Sequence, residues 1–324
     1  MNASRTWVLL CAVVAGLVSA ASAVTIDWVP VGDPGNAPDT RYSTPGYGGV
    51  AYTYNIGKYE VTNTQYCEFL NAVADADPNS LYNTYMGSPA YPWYGGITRS
   101  GSSPNFTYSL ISGRGNKPVN YVSWYDTLRF ANWMHNGQPT GAQGSSTTEN
   151  GAYDMSLGAS VVRKPGAKVF LTSEGEWYKA AYYKGGGTNA GYWDYPTQSN
   201  IPPTAETPPG TNTTNGSANY NKVVGDLTNV GAYISKPSDS AYDTFDQGGN
   251  VFEWNEALIA SSRRGCLGGS FVLDDSYLHA SRRSNEYPTG EGSSLGFRVA
   301  EVPEPASIVM LALASVGVLR RKRA

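Results

Sequence analysis

Apolar residues fall on a helical period in three places along this chain, and elsewhere they form only short runs between turn residues. In VTNTQYCEFLNAVADADP, Tyr66, Phe69, Leu70 and Val73 follow an i, i+3, i+4, i+7 pattern, with Thr62 or Asn63 as N-cap and Pro78 as the stop. VSWYDTLRFANWMHNG opens on Ser123 and Asp126 in a Ser-x-x-Asp capping arrangement and closes at Gly137. LTSEGEWYKAAYYKGGG repeats the device with Ser173 and Glu176 and ends at Gly185. Three amphipathic helices are therefore predicted, joined by short strand-like pieces. Residues 32–50, 138–152 and 185–217 are rich in Gly, Thr, Asn and Pro and read as long surface loops.

The two ends have different patterns. MNASRTWVLLCAVVAGLVSAASAV carries one Arg, an apolar run and the small-residue exit Ala21, Ser22, Ala23, the order of a secretory signal peptide over residues 1–23 that signal peptidase removes. At the other end, the apolar run Ala306 to Leu319 would rise only about 21 Å as a helix, short of a ~30 Å hydrocarbon core. Pro303, Glu304 and Pro305 precede it, and Arg320, Arg321, Lys322 and Arg323 follow it as a positive-inside cluster. This order over residues 303–324 resembles the PEP-CTERM sorting tail of Gram-negative bacteria. The resemblance implies cutting by an exosortase, transient anchoring in the inner membrane, and release to the cell surface or extracellular matrix.

Charge changes the picture once the ends are set aside. The 23 Lys and Arg, less Arg5 and the four tail cations, leave 18 against 26 Asp and Glu, a net charge near −8. Such a surface repels phosphate, which excludes nucleic acid as a partner. The remaining stretch of about 280 residues is long enough to bury a sizeable core. It keeps Cys67 and Cys266, which could be two buried thiols, one disulfide, or a metal or redox pair.

Six blocks then follow in order: IGKYEVTNTQYCEFLNA, PVNYVSWYDTLRFANWM, FLTSEGEWYKAA, FDQGGNVFEWNE, GGSFV and LGFRVA. From Val29 to Val302 the chain resembles the formylglycine-generating enzyme or sulfatase-modifying factor family. The resemblance implies a single α+β domain over residues 24–302, related to C-type lectins, with long loops and little regular secondary structure. Trp124, Trp177 and Trp254 lie inside these blocks and are expected in the core.

The founding activity of that family oxidises a protein cysteine to formylglycine with copper held by two cysteines, and Cu(I) requires such soft thiolates. At the corresponding positions of GGSFVLDDSYLHASRRS stand Leu273 and Leu278, which offer neither ligand nor nucleophile. Copper is therefore not expected unless Cys67 and Cys266 converge as relocated thiols. Relatives that use non-haem iron employ several histidines, whereas only His135 and His279 occur here, and His135 is also placed to interact with a helix C-terminus. Ser270, Tyr277, Arg282 and Arg283 are candidates for a substrate groove, but no histidine base accompanies the hydroxyls. The arginines could instead pair with Asp274, Asp275 or Glu286.

The resemblance further implies structural Ca²⁺ at Asp246, Gly249, Val251 and Glu253, and a second ion near Asn219, Tyr220 and Asp226. Hard oxygen donors in a Gly-rich turn suit calcium, although DQGGN can also be read as a tight turn needing positive φ. Three functions stand open from sequence: a non-catalytic surface module for a peptide or polysaccharide, a formylglycine-type oxidoreductase with relocated thiols, and an iron oxidoreductase.

Overall fold

In the computed structural model, which describes residues 23–88 and 95–303, the helices form where local capping starts them. After strands β1 (Trp28–Val31) and β2 (Tyr54–Gly57) comes α1 (Asn63–Val73), whose Thr62 cap is completed by Gln65. Strands β3 (Ile97–Ser100) and β4 (Thr107–Leu110) pair with each other and precede α2 (Trp124–His135), capped by Ser123 and Asp126. Strand β5 (Val169–Leu171) leads into α3 (Glu174–Tyr182), where Ser173 and Glu176 close the same reciprocal box. This helix ends at Tyr182, before Gly185.

The remaining strands are short: β6 (Thr204–Ala205), β7 (Ser217–Ala218), β8 (Phe252–Ile259), β9 (Arg263–Leu267), β10 (Ser284–Glu286), β11 (Leu295–Gly296) and β12 (Val299–Glu301). One four-stranded sheet runs β1-β2-β12-β5, so the last strand of the domain is inserted between early ones; a second runs β10-β9-β8-β11. Few helices, small sheets and long loops make this the α+β fold expected from sequence, with low regular secondary structure. The calls on residues 1–22, on Glu304 and Pro305, and on the apolar tail lie outside the described residues, and Pro303 is exposed. Among the described residues no helix is long and apolar enough to cross a membrane.

The core is aromatic where α1 and α2 meet the C-terminal strands. Tyr66, Phe69, Phe130 and Phe297 are all buried, with ring centroids 5.3 Å apart for Tyr66–Phe69 and for Phe130–Phe297. Such pairs add about 0.5–1.5 kcal/mol each beyond their area burial. The three tryptophans are fully buried. Two of them tie β8 to the start of α2 and the residues just before it: Trp124 Nε1 donates to Asn255 O, and Trp254 Nε1 donates to Val122 O, both at 3.0 Å. The same crossing presents Phe252 and the paired strand β9 to one side of the domain.

Candidate functional site

That side carries a cleft of about 400 Å³ lined by strands β8 to β11 and the loop between the last two. Phe252, Leu295 and the Cys266 thiol form its apolar part, while Tyr277, Ser284, Glu286 and Glu291 supply polar groups. Ser284 Oγ is buried with no hydrogen-bond partner. Burial pushes the Glu291 carboxyl above its ordinary range, although Asn83 donates to it. Glu286 faces Arg263 at 3.5 Å, a distance at which a part-exposed pair contributes little. Among the described residues no Lys or Arg lines the cleft.

Of the four expected groove residues only Tyr277 lines this cleft. Ser270 is completely buried and its Oγ has no partner, so it belongs to the interior and not to a groove. Arg282 lies over the Tyr277 ring at 4.0 Å from its centroid. Arg283 pairs with Glu174 of α3 through Nε and Nη2, at 2.5 and 2.7 Å, and not with Asp274, Asp275 or Glu286. The sequence neighbourhood named the wrong carboxylates because the true partner is 109 residues away.

The two leucines take different environments. Leu278 is fully buried with Tyr195, Ala218 and Tyr220. Its close approach explains Gly269, where φ is +72° and a Cβ would stand 2.9 Å from Leu278 Cδ1. Leu273 is part-exposed, and its carbonyl accepts the Asn221 N–H at 2.7 Å. Neither side chain can ligate a metal. The remaining cysteines do not replace them: both are free and buried, Cys67 beside Asn71 on α1 and Cys266 opposite Trp254 and Ser284 in the sheet. Burial pushes the Cys67 thiol up to about 11 and the Cys266 thiol to about 12, so neither offers a thiolate at neutral pH.

The histidines also have separate neighbours. His279 sits edge-on to Tyr42 and Tyr195, with ring centroids 5.5 and 5.2 Å away. His135, in the last turn of α2, accepts the Lys168 N–H on Nδ1 at 2.9 Å, and burial and then the Lys168 and Lys164 charges lower its proton affinity. Among the described residues no group of three or more His, Cys, Asp or Glu is arranged around a metal position.

The expected calcium positions divide into two kinds of surroundings. Glu253 is fully buried and receives Arg298 Nε at 2.5 Å, Arg298 Nη2 at 2.6 Å and Trp177 Nε1 at 2.7 Å. Nearby, burial raises the Asp246 carboxyl to about 6, outweighing the Gly231 N–H it accepts at 2.6 Å. Glu60, 1% exposed, is raised well above the ordinary range by burial and then by Asp246 and Glu253; its Oε2 has no donor. Three carboxylates thus lie in the field of one guanidinium, which hydrogen-bonds Glu253 alone of the three, and Glu60 Oε2 is left without a donor.

Asp226 is compensated in the opposite sense. Arg114 reaches it with Nη1 at 2.8 Å and Nη2 at 3.2 Å, and Lys117 Nζ lies 3.1 Å from Oδ2. Burial pushes this carboxyl up, but the two cations outweigh that and hold it below its ordinary value. Tyr220 turns its hydroxyl to Pro203 O at 2.7 Å, and Asn219 Nδ2 donates to Asp226 O at 2.9 Å. These residues do not fit a second calcium ion. Gly249 joins the two regions: its φ is +96°, and a Cβ there would strike Asn219 O.

Sequence reasoning missed Glu60, Arg298, Lys117, Arg114, Glu291 and Ser284. Glu60 and Arg298 sit inside the YEVTN and GFR blocks, so a charged residue amid apolar neighbours was the available signal. For Lys117 and Arg114 no local signal exists.

With this geometry in place, comparison with known proteins bears on identity. The chain has a fold similar to Treponema denticola variable protein 1, at 19% identity and a TM-score of 0.51, covering 88% of this chain and 98% of that one. It is also similar to CarF, at 19% identity and a TM-score of 0.49, with 86% and 99% covered. For PvdO from Pseudomonas aeruginosa the values are 15% identity, a TM-score of 0.43, and 86% and 92% covered. No curated protein sequence matches it. Residues 301–323 match the PEP-CTERM protein-sorting motif, which indicates an exported protein of Gram-negative bacteria, transiently membrane-associated and processed by exosortase. Residues 32–302 match the sulfatase-modifying factor enzyme 1-like domain, and the chain belongs to that family.

Proposed function

We propose that this exported protein is a non-catalytic binding module displayed at the cell surface or in the extracellular matrix, and that its cleft takes a peptide segment carrying a basic residue. The observation that carries the first part is Leu278: where the family resemblance expects a copper thiolate, an apolar side chain is packed beneath Gly269 among Tyr195, Ala218 and Tyr220. Cu(I) chemistry of the founding kind has no thiolate pair to start from. The second part is supported by the cleft's two carboxylates without a lining cation, its aromatic wall of Phe252 and Tyr277, and the unpartnered Ser284 hydroxyl. We also propose one structural calcium at the Asp246–Glu253 loop.

Calorimetric titration with a Lys/Arg-containing peptide and its neutral analogue tests the ligand. The basic peptide should bind, and changing Glu286→Gln and Glu291→Gln together should weaken it about five-fold, equivalent to ~1 kcal/mol. Equal binding of both peptides, or binding of a neutral polysaccharide alone, overturns the ligand assignment. Incubation of a Cys-x-Pro-x-Arg peptide with the protein, copper and reductant tests the rest: the cysteine should survive, and its conversion to an aldehyde would establish an enzyme.

A further inference from the structure

We infer that Lys117 is a built-in cation that substitutes for the second calcium of this fold, making the Asp226 loop independent of added ions. Its ammonium contacts both Asp226 Oδ2 and the Leu227 carbonyl, a carboxylate and a main-chain oxygen of the sort that a bound Ca²⁺ would take. Arg114 holds the same carboxylate from the side with two hydrogen bonds. Two positive charges on one carboxylate leave the position net positive, so a divalent ion entering it would meet repulsion.

The two cations are fixed in place by their own backbone. The Lys117 carbonyl accepts the Asn63 N–H at 2.9 Å and Asn63 Nδ2 at 3.2 Å, and Pro118 bridges to Thr62 at the start of α1. Asn116 O accepts the Val230 N–H at 2.9 Å, which ties this segment to the far end of the Asp226 loop. The Lys117 side chain is 16% exposed and that of Arg114 9%, so the charges act in a partly desolvated setting.

One oxygen remains unused. Asn219, 1% exposed, directs its Nδ2 to Asp226 O and Asn250 Oδ1, which fixes the amide orientation and leaves Oδ1 without a donor. Removing the ammonium should therefore free the Leu227 carbonyl and one position on Asp226 Oδ2, a carboxylate that Arg114 still holds, and leave them with Asn219 Oδ1 as hard donors for a partial calcium site.

The full chain with Lys117→Met should bind one more equivalent of Ca²⁺ than the wild type at about 1 mM calcium, the range of extracellular modules. The gain should vanish when Asp226→Asn is added, and Lys117→Arg should behave as wild type. Because the comparison is a difference between variants, it reads the same whether or not the Asp246 loop binds an ion of its own. If Lys117→Met does not fold, the wild type and Asp226→Asn decide between themselves: equal calcium stoichiometry is expected. A calcium equivalent in the wild type that Asp226→Asn abolishes, or a folded Lys117→Met with no added calcium, overturns the inference.

Discussion

Asp226 and Glu253 stand at positions where family resemblance expects a calcium ligand, yet one carboxylate has two cations to itself while the other shares a single guanidinium with Glu60 and Asp246. The difference is one of charge balance: the side chains folded around Asp226 compensate it, whereas one guanidinium faces three carboxylates around Glu253. At Leu278, where the family resemblance expects a copper thiolate, the side chain is packed among Tyr195, Ala218 and Tyr220.

The largest effect should come from removing the lone guanidinium. Arg298 also donates to Gly57 O and Phe245 O, so Arg298→Met strands Glu253 and frees carbonyls in the interior. Breaking one partner of a buried pair costs about 3–5 kcal/mol, which in a domain of this size lowers the melting temperature by roughly 10 °C or prevents folding. A melt within a degree or two of wild type would show that Glu253 is compensated elsewhere.

Ion removal comes next. If a cation offsets the surplus carboxylates, EDTA should lower stability by up to about 2–3 kcal/mol relative to calcium one hundred-fold above its Kd, and Asp246→Ala should abolish the response. An unchanged melt in EDTA would leave the Gly-rich segment as an ordinary turn and remove half of the contrast.

A third buried carboxylate sharpens the comparison without any metal. Burial raises Asp126 to about 7, against hydrogen bonds from the Ser123 side chain and N–H, with Glu291 raising it further and Arg129 opposing. A carboxyl raised above its unfolded value binds its proton more tightly when folded, so its contribution is fully present below about pH 4 and is lost as pH rises to about 7. Denaturant unfolding across that window should show this decline, and Asp126→Asn, which keeps an acceptor for Ser123, should flatten it. The same decline in the variant would assign it to another group.

How much of this was legible in the sequence follows from distance along the chain. The caps at Thr62, Ser123 and Ser173 were readable because each box closes within three residues and the apolar period continues from it. The sheets were not, since every strand but the eight-residue β8 has only two to five residues and carries too few alternations, and β12 joins a sheet begun at Trp28. Site residues split the same way. Leu273 and Leu278 are assigned from the neighbouring GGSFV motif, whereas Lys117 meets Asp226 across 109 positions and Arg298 meets Glu253 across 45. Pairings of that kind are made by the fold alone.

Elemental analysis of the purified, processed protein reads every part of this account at once. Copper and iron should be absent at stoichiometric levels, and calcium should approach one per chain, held at the Asp246 and Glu253 loop while Lys117 serves at Asp226. One copper per chain would contradict the non-catalytic reading, and two calcium ions per chain would contradict the contrast between the two carboxylates.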